Sequence, residues 1–259
     1  MADWNDNRTR PGLGTSQGFT GAAVPRTGEV FDAGLRKHML SIYNYMASGV
    51  LLTGVVAALT ARSGLAYAFA GGPLMWLVML SPLAIVIAMS FGQNKFSAGT
   101  LQAMFWAFAT LMGLSLSTIF LVYTGASIAA TFFATAGAFA GLSLFGYTTQ
   151  KDLSGWGSFL IMGVVGLIIA SVINMFIGSE PLSYAISFLG VLIFAGLTAY
   201  DTQKLKQQYL SIQQAKMTNP AIAAAFPLGK IVIMGALNLY LDFINMFLFL
   251  LRFMGAARD

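Results

Sequence analysis

The sequence predicts an all-α, polytopic membrane protein built as a bundle of seven transmembrane helices, and three observations carry that prediction. Of 259 residues, 57% are hydrophobic and only 9% charged, where an ordinary soluble domain carries roughly 25% charged residues. The apolar residues fall into runs of about 20, the length a helix needs to cross a hydrocarbon core of roughly 30 Å. The basic residues distribute unevenly between alternate connections, as they do when cytoplasmic loops retain Lys and Arg.

Residues 1–35 read as a flexible cytoplasmic N-terminal tail and residues 36–259 as the seven-helix transmembrane domain. The tail is rich in Gly, Thr and Arg, and the first 38 residues hold nine of the 23 Asp, Glu, Lys and Arg. It contains no apolar core of the kind a cleaved signal peptide needs. The predicted spans are 39–61, 73–91, 100–123, 126–147, 159–178, 182–201 and 231–252. Short polar connections such as SFGQNKFSAGT and GSEPLS separate them, with Gly and Pro at several ends. The longest connection is 202–230, whose first half extends the sixth helix as a solvated stub until Pro220 and Pro227 break it.

Orientation follows from the basic residues. With the N-terminus inside, the cytoplasmic side carries Arg8, Arg10, Arg26, Arg36, Lys37, Lys95, Lys151, Lys204, Lys206, Lys216 and Lys230, and the other side only Arg62, Arg252 and Arg258. Seven spans place the C-terminus outside; a re-entrant last segment would return it to the cytoplasm. The net charge of +5 is scattered singly over loops, so it reads as an orientation signal and not as a nucleic-acid footprint. With no cysteine, neither disulfides nor thiolate metal sites are available.

Lipid supplies no hydrophobic drive between helices, so contacts should use small residues. Gly137 and Gly141 on the fourth span, with Gly163 and Gly166 on the fifth, are the expected close-packing positions. Asn174 is expected to tie helices together, and His38, Lys95 and Glu180 to sit solvated at interfaces.

Ionisable groups inside spans cost about 2.5 to 3.5 kcal/mol at the membrane centre, so each needs a reason. Asp242 lies about twelve residues into the last span, near mid-membrane at a rise of 1.5 Å per residue. Asn238, Asp242 and Asn245 follow at i, i+4 and i+7 and share one helix face. Asp201 closes the sixth span, with Thr198 one turn before it. The residues alone leave Asp201 open between an interfacial helix end and a site, and Asp242 open between a structural hydrogen-bonding role and an ion or proton role. Two carboxylates facing each other away from water cannot both ionise cheaply, so they share one proton and titrate as a pair. Deprotonated, the same oxygens are hard ligands suited to Ca²⁺, which takes 6 to 8 of them.

Three segments carry a family resemblance: FGYTTQKDLSGWGSFL at 145–160, GVLIFAGLTAYDTQKLK at 190–206 and LNLYLDFINMFLFLLRFMG at 237–255. With the span pattern they resemble the Bax inhibitor-1 family, also called the transmembrane Bax inhibitor motif family, over nearly everything after residue 35, most closely its bacterial members. The resemblance implies a seven-helix fold with the last helix central. It also implies a pH-sensitive calcium leak channel with a di-aspartyl sensor, on Asp201 in A-Y-D-T-Q and Asp242 in Y-L-D-F-I-N. In some members a basic residue after the second span latches the sensor. An ungapped match places Lys95 there, although the surrounding GQNKFSAG departs from the more basic pattern of that segment.

The expected function is therefore a cation leak channel of the bacterial cytoplasmic membrane, with protons and Ca²⁺ as its ions, the lipid bilayer as its surroundings and no required cofactor. Asp201 and Asp242 are the expected sensor and metal-contacting residues, with Asn238, Asn245 and Thr198 as the supporting polar face and Lys95 as the latch. The alternative is an interaction protein that modulates a membrane protease or a cell-death factor. An enzyme is not expected. Intramembrane aspartyl proteases need Gly-x-Gly-Asp, whereas Leu239, Tyr240 and Leu241 precede Asp242; a serine protease would have to rely on His38, the only histidine.

Overall fold

A backbone immersed in lipid has to satisfy its own hydrogen bonds, and helices do so within one segment. In the computed structural model, which describes residues 27–69, 71–218 and 227–257, every regular element is a helix among the described residues. They are α1 (Thr27–Arg62), α2 (Leu65–Phe69), α3 (Gly72–Gly92), α4 (Ala98–Leu116), α5 (Ile119–Val122), α6 (Gly125–Thr148), α7 (Ser154–Ile177), α8 (Glu180–Thr218) and α9 (Leu228–Met254). Seven spans result, with α4 and α5 forming one of them and α2 a short connector. Each predicted span falls on one of the seven.

Local chemistry explains where these helices bend and stop. Pro82 inside α3 cannot donate to the carbonyl of Val78, and the hydroxyl of Ser81 donates to that oxygen instead, at 3.0 Å. Between α4 and α5, Ser117 and Thr118 donate their hydroxyls back to Leu114 and Ser115 at 2.6 and 3.1 Å, which breaks one span into two pieces. Gly178 ends α7 in the left-handed region (φ 69°), its N–H donating to Asn174 O at 2.8 Å. Asn174 then binds across the turn: its Nδ2 donates to Ser183 Oγ at 2.6 Å and its Oδ1 accepts from Ser179 N at 3.1 Å, the tying role its sequence position suggested. In the α6–α7 connection the Asp152 carboxylate accepts from Ser154 N at 2.9 Å, and hydrogen bonds from Ser154 hold it below its ordinary pKa.

The last helix is central. Over its most apolar stretch α9 is 61% buried, against 11% in α7, and it packs on α8, α1, α6 and α4. Successive residues of a helix point about 100° apart, so the run Tyr240 to Phe243 serves different neighbours. Tyr240, fully buried, meets Phe105 and Phe108 of α4 edge-on at 6.2 and 5.0 Å and shares a 2.7 Å hydrogen bond with Thr53 of α1. Phe243 meets Phe132 and Phe139 of α6, both at 5.6 Å. Asp242 is left to the α8 side. Beyond α9, Thr124 N donates to Ala256 O and Ala256 N donates to Ser127 Oγ, so the described C-terminal residues sit at the start of α6. Helix α9 runs unbroken from Leu228 to Met254, long and apolar enough to cross a membrane once.

Helix α1 begins at Thr27, inside the stretch read as tail, while residues 1–26 lie outside the described residues, as does Pro220. Three expectations change. Gly137 and Gly141 pack against nothing: a Cβ at either position, or at Gly166, meets no atom within 4 Å. Close approaches fall elsewhere, among them Gly146 against the Ala199 backbone, Gly157 against Tyr200, Gly190 against Phe249 and Gly235 against Leu205; Gly163 packs on Ile193 as expected. The α8 extension is not simply solvated, since Leu205, Tyr209 and Ile212 are buried. His38 is one reason: it is buried and not solvated, stacking on Tyr209 at 4.8 Å.

Candidate functional site: a buried carboxylate pair between two helices

Helices α8 and α9 share the most extensive contact of the bundle, and two glycines set their register. Gly235 lies against Leu205, and Gly190 against Phe249. In that antiparallel alignment Thr198 of α8 stands level with Asp242 of α9. Asp201 stands about one turn, or roughly 5 Å, nearer the end of the bundle that carries Lys95, Lys151 and Lys204. The two carboxylates thus face the same seam within electrostatic reach of one another.

Their surroundings differ. Asp242 is 5% exposed, and its Oδ2 has no hydrogen-bond partner among the described residues. Asp201 is only partly buried and has the ammonium of Lys204, one turn along α8, within electrostatic reach. A cavity of about 500 Å³ opens between the start of α9, the α3–α4 connection and α8, lined by Gln93, Asn94, Lys204, Leu205, Lys230 and Asn238 among others. It stops at Asn238, one turn before Asp242 on α9, and at Lys204 and Leu205, one turn past Asp201 on α8. Leu205 packs on Gly235 in the wall of this cavity.

Of the supporting residues named from sequence, Asn238 lines the cavity, whereas the other two are engaged with their own helices. Thr198 donates to Phe194 O at 2.8 Å and Asn245 Nδ2 donates to Leu241 O at 2.8 Å. Lys95 is exposed on the α3–α4 connection and forms no ion pair with either aspartate, so the expected latch contact is not made. The basic residues at the site are Lys204 and Lys230, the latter donating to Gln93 O at 3.3 Å. The spacing of A-Y-D-T-Q-K already placed Lys204 three residues after Asp201; what sequence lacked was the rotation of the α3–α4 connection. Among the described residues no three His, Cys, Asp or Glu come together, so a cation here would draw most of its ligands from neutral oxygens.

The residues flanking Asp201 hold it in place. Thr202 and Ser143 share a hydrogen bond at 2.9 Å, and Ser143 and Tyr43 another at 2.7 Å, so a chain of hydroxyls links α8, α6 and α1. Gln203 closes the α6–α7 connection onto α8: its Oε1 accepts from Leu153 N at 2.8 Å and its Nε2 donates to Lys151 O at 2.7 Å. Lys206 donates to Tyr147 O at 2.7 Å. The segments at 145–160 and 190–206 therefore act as one structural unit.

The sequence pattern of the family described as "Inhibitor of apoptosis-promoting Bax1" matches residues 35–259. The chain belongs to the Bax inhibitor-1 family. Among its relatives is Inner membrane protein YbhL of Escherichia coli K12, 44% identical over 238 residues that cover 90% of this chain and 98% of that protein. A protein of Caulobacter vibrioides is 47% identical over 240 residues, covering 88% and 92%. A third, RP147 of Rickettsia prowazekii, is 45% identical over 234 residues, covering 89% and 94%. The seven-helix bundle is thus that of a Bax inhibitor-1 family membrane protein, with the Asp201–Asp242 seam at its central helix.

Proposed function

We propose that the protein is a pH-sensitive cation leak channel of the bacterial cytoplasmic membrane, with its N-terminus in the cytoplasm, Ca²⁺ as its ion and the Asp201–Asp242 pair as its sensor. The observation that carries this reading is Asp242: a carboxylate near the middle of the central helix, buried, with an oxygen free of any partner among the described residues and a second carboxylate in electrostatic reach. A purely structural aspartate would have its oxygens satisfied by neighbouring helices. The inner-membrane name of the YbhL relative supports the location, and the Lys and Arg asymmetry supports the orientation.

The chemistry follows from competition for the same oxygens. Deprotonated, the pair offers two hard ligands, and Asn238, backbone carbonyls and water complete a loose shell. Two carboxylates hold Ca²⁺ weakly, which suits passage better than storage. A proton on either carboxylate removes one negative charge, so cation affinity falls as pH falls. The cavity ending at Asn238 and Leu205 is the cytoplasmic vestibule, closed one turn short of the pair, with Lys204 and Lys230 at its wall.

The test is Ca²⁺ leak from liposomes carrying the purified protein and an enclosed dye, measured across a range of pH. The wild-type leak is expected to change with pH, and Asp201→Asn and Asp242→Asn are expected to flatten the curve. Leak curves in both variants that superimpose on the wild type would remove the pair from the mechanism. No leak at any pH, together with a membrane protein that co-purifies stably, would replace the channel by a binding role.

A further inference from the structure

Helices α1 and α6 both pack on α8 and α9 but not along each other. The gap between them is a groove of about 570 Å³, walled by Met39, Met46 and Val50 of α1 and Phe132 and Phe139 of α6, with Phe243 of α9 at its floor. Its rims, Leu40 and Leu144, are 48% and 62% exposed, so in a bilayer the groove opens sideways into lipid. Two hydroxyls in the wall, Tyr43 and Ser143, satisfy each other at 2.7 Å and make no demand for water. The remaining polar groups, Arg36 and Tyr147, lie together at the lysine-bearing end.

We propose that this groove is a lipid site: it takes one acyl chain of an anionic glycerophospholipid, whose phosphate sits on Arg36. Length supports this occupant. From Arg36 to Val50 the groove runs about 21 Å along α1, enough for the roughly 15 Å of hydrocarbon in one leaflet plus the approach to the headgroup. Charge supports it as well. A guanidinium grips a phosphate with two parallel hydrogen bonds, and Arg36 is exposed at the mouth. Lys206 adds a second cation there, 2.7 Å from the Tyr147 carbonyl and 5.3 Å from the centre of its ring. Tyr147 is placed as aromatic side chains are at headgroup level.

The groove also borders the carboxylate seam. Phe243 at its floor is the chain neighbour of Asp242, and Ser143 in its wall is bonded to Thr202, the neighbour of Asp201. A bound chain would lie beside the Tyr43–Ser143 bond that ties α1 to α6, next to both segments. Lipid binding itself does not depend on the channel reading and is measured separately.

The experiment is native mass spectrometry of the purified full-length protein after exchange into detergent micelles that contain equal amounts of phosphatidylglycerol and phosphatidylethanolamine. One phosphatidylglycerol is expected to be retained in at least several-fold preference. Arg36→Gln, an exposed change that leaves the helix intact, is expected to abolish the preference, and Ala140→Trp, which fills the groove, to reduce retention of both lipids. A wild type that holds no discrete lipid overturns the proposal. So does an Arg36→Gln protein with undiminished preference, or a folded Ala140→Trp protein with undiminished retention.

Discussion

Asp242→Asn is expected to make the protein harder to unfold while it flattens the response to pH. Asparagine keeps the shape of the side chain and removes a charge from a site that is 5% exposed, where one oxygen has no partner among the described residues. A charge near the membrane centre costs about 2.5 to 3.5 kcal/mol on insertion scales, so a gain of about 2 kcal/mol is the expected size. The sign with pH follows from the proton. At high pH the wild-type pair carries its full charge and the gain is greatest; as pH falls a proton neutralises part of the pair and the gain shrinks. Asp201→Asn should give a smaller effect, because Asp201 is partly exposed and has Lys204 beside it. Thermal unfolding of the three proteins in detergent at two pH values measures this. A lower stability of Asp242→Asn at both values would mean that the carboxylate is a structural group.

The second large effect separates two kinds of glycine on one helix. A Cβ at Gly146 would run into the carbonyl of Ala199, which is backbone and cannot rotate away. Gly146→Ala is therefore expected to force α6 from α8, costing about 1 to 3 kcal/mol as overpacking does, and to strain the nearby bond between Ser143 and Thr202. Gly137→Ala and Gly141→Ala meet open space, and alanine is the better helix former by up to about 1 kcal/mol. They should be neutral or stabilising in the same unfolding assay. Loss of stability in all three variants to the same degree would show that the G-x-x-x-G pair packs after all.

That contrast marks what sequence could and could not tell. The seven spans were legible because the cost of exposing backbone to lipid imposes a one-dimensional signal, a run of apolar residues of fixed length. Asp242 was legible because a carboxylate in such a run is rare. The rotation of each helix was not, since the lipid and the bundle interior are both apolar, and a helix such as α6 shows little difference between its faces. Hence the two glycines at G-x-x-x-G spacing looked like the contact, while the contact falls on Gly146, and His38 looked solvated while it stacks, buried, on Tyr209. The choice of cation near Asp201 went astray for a related reason. Lys95 lies in a connection whose direction sequence does not fix, whereas Lys204 is placed by the helix that carries Asp201 itself.

Proton occupancy of the Asp201–Asp242 seam is the claim on which the functional account depends, and infrared difference spectroscopy of the protein in liposomes tests it most directly. The carboxylic-acid carbonyl stretch is followed during a pH titration, with and without Ca²⁺. The account predicts one buried acid band that diminishes as Ca²⁺ is added, is lost in Asp242→Asn and changes its pH dependence in Asp201→Asn. A spectrum with no such band at any pH, or a band unaffected by either substitution, would contradict it.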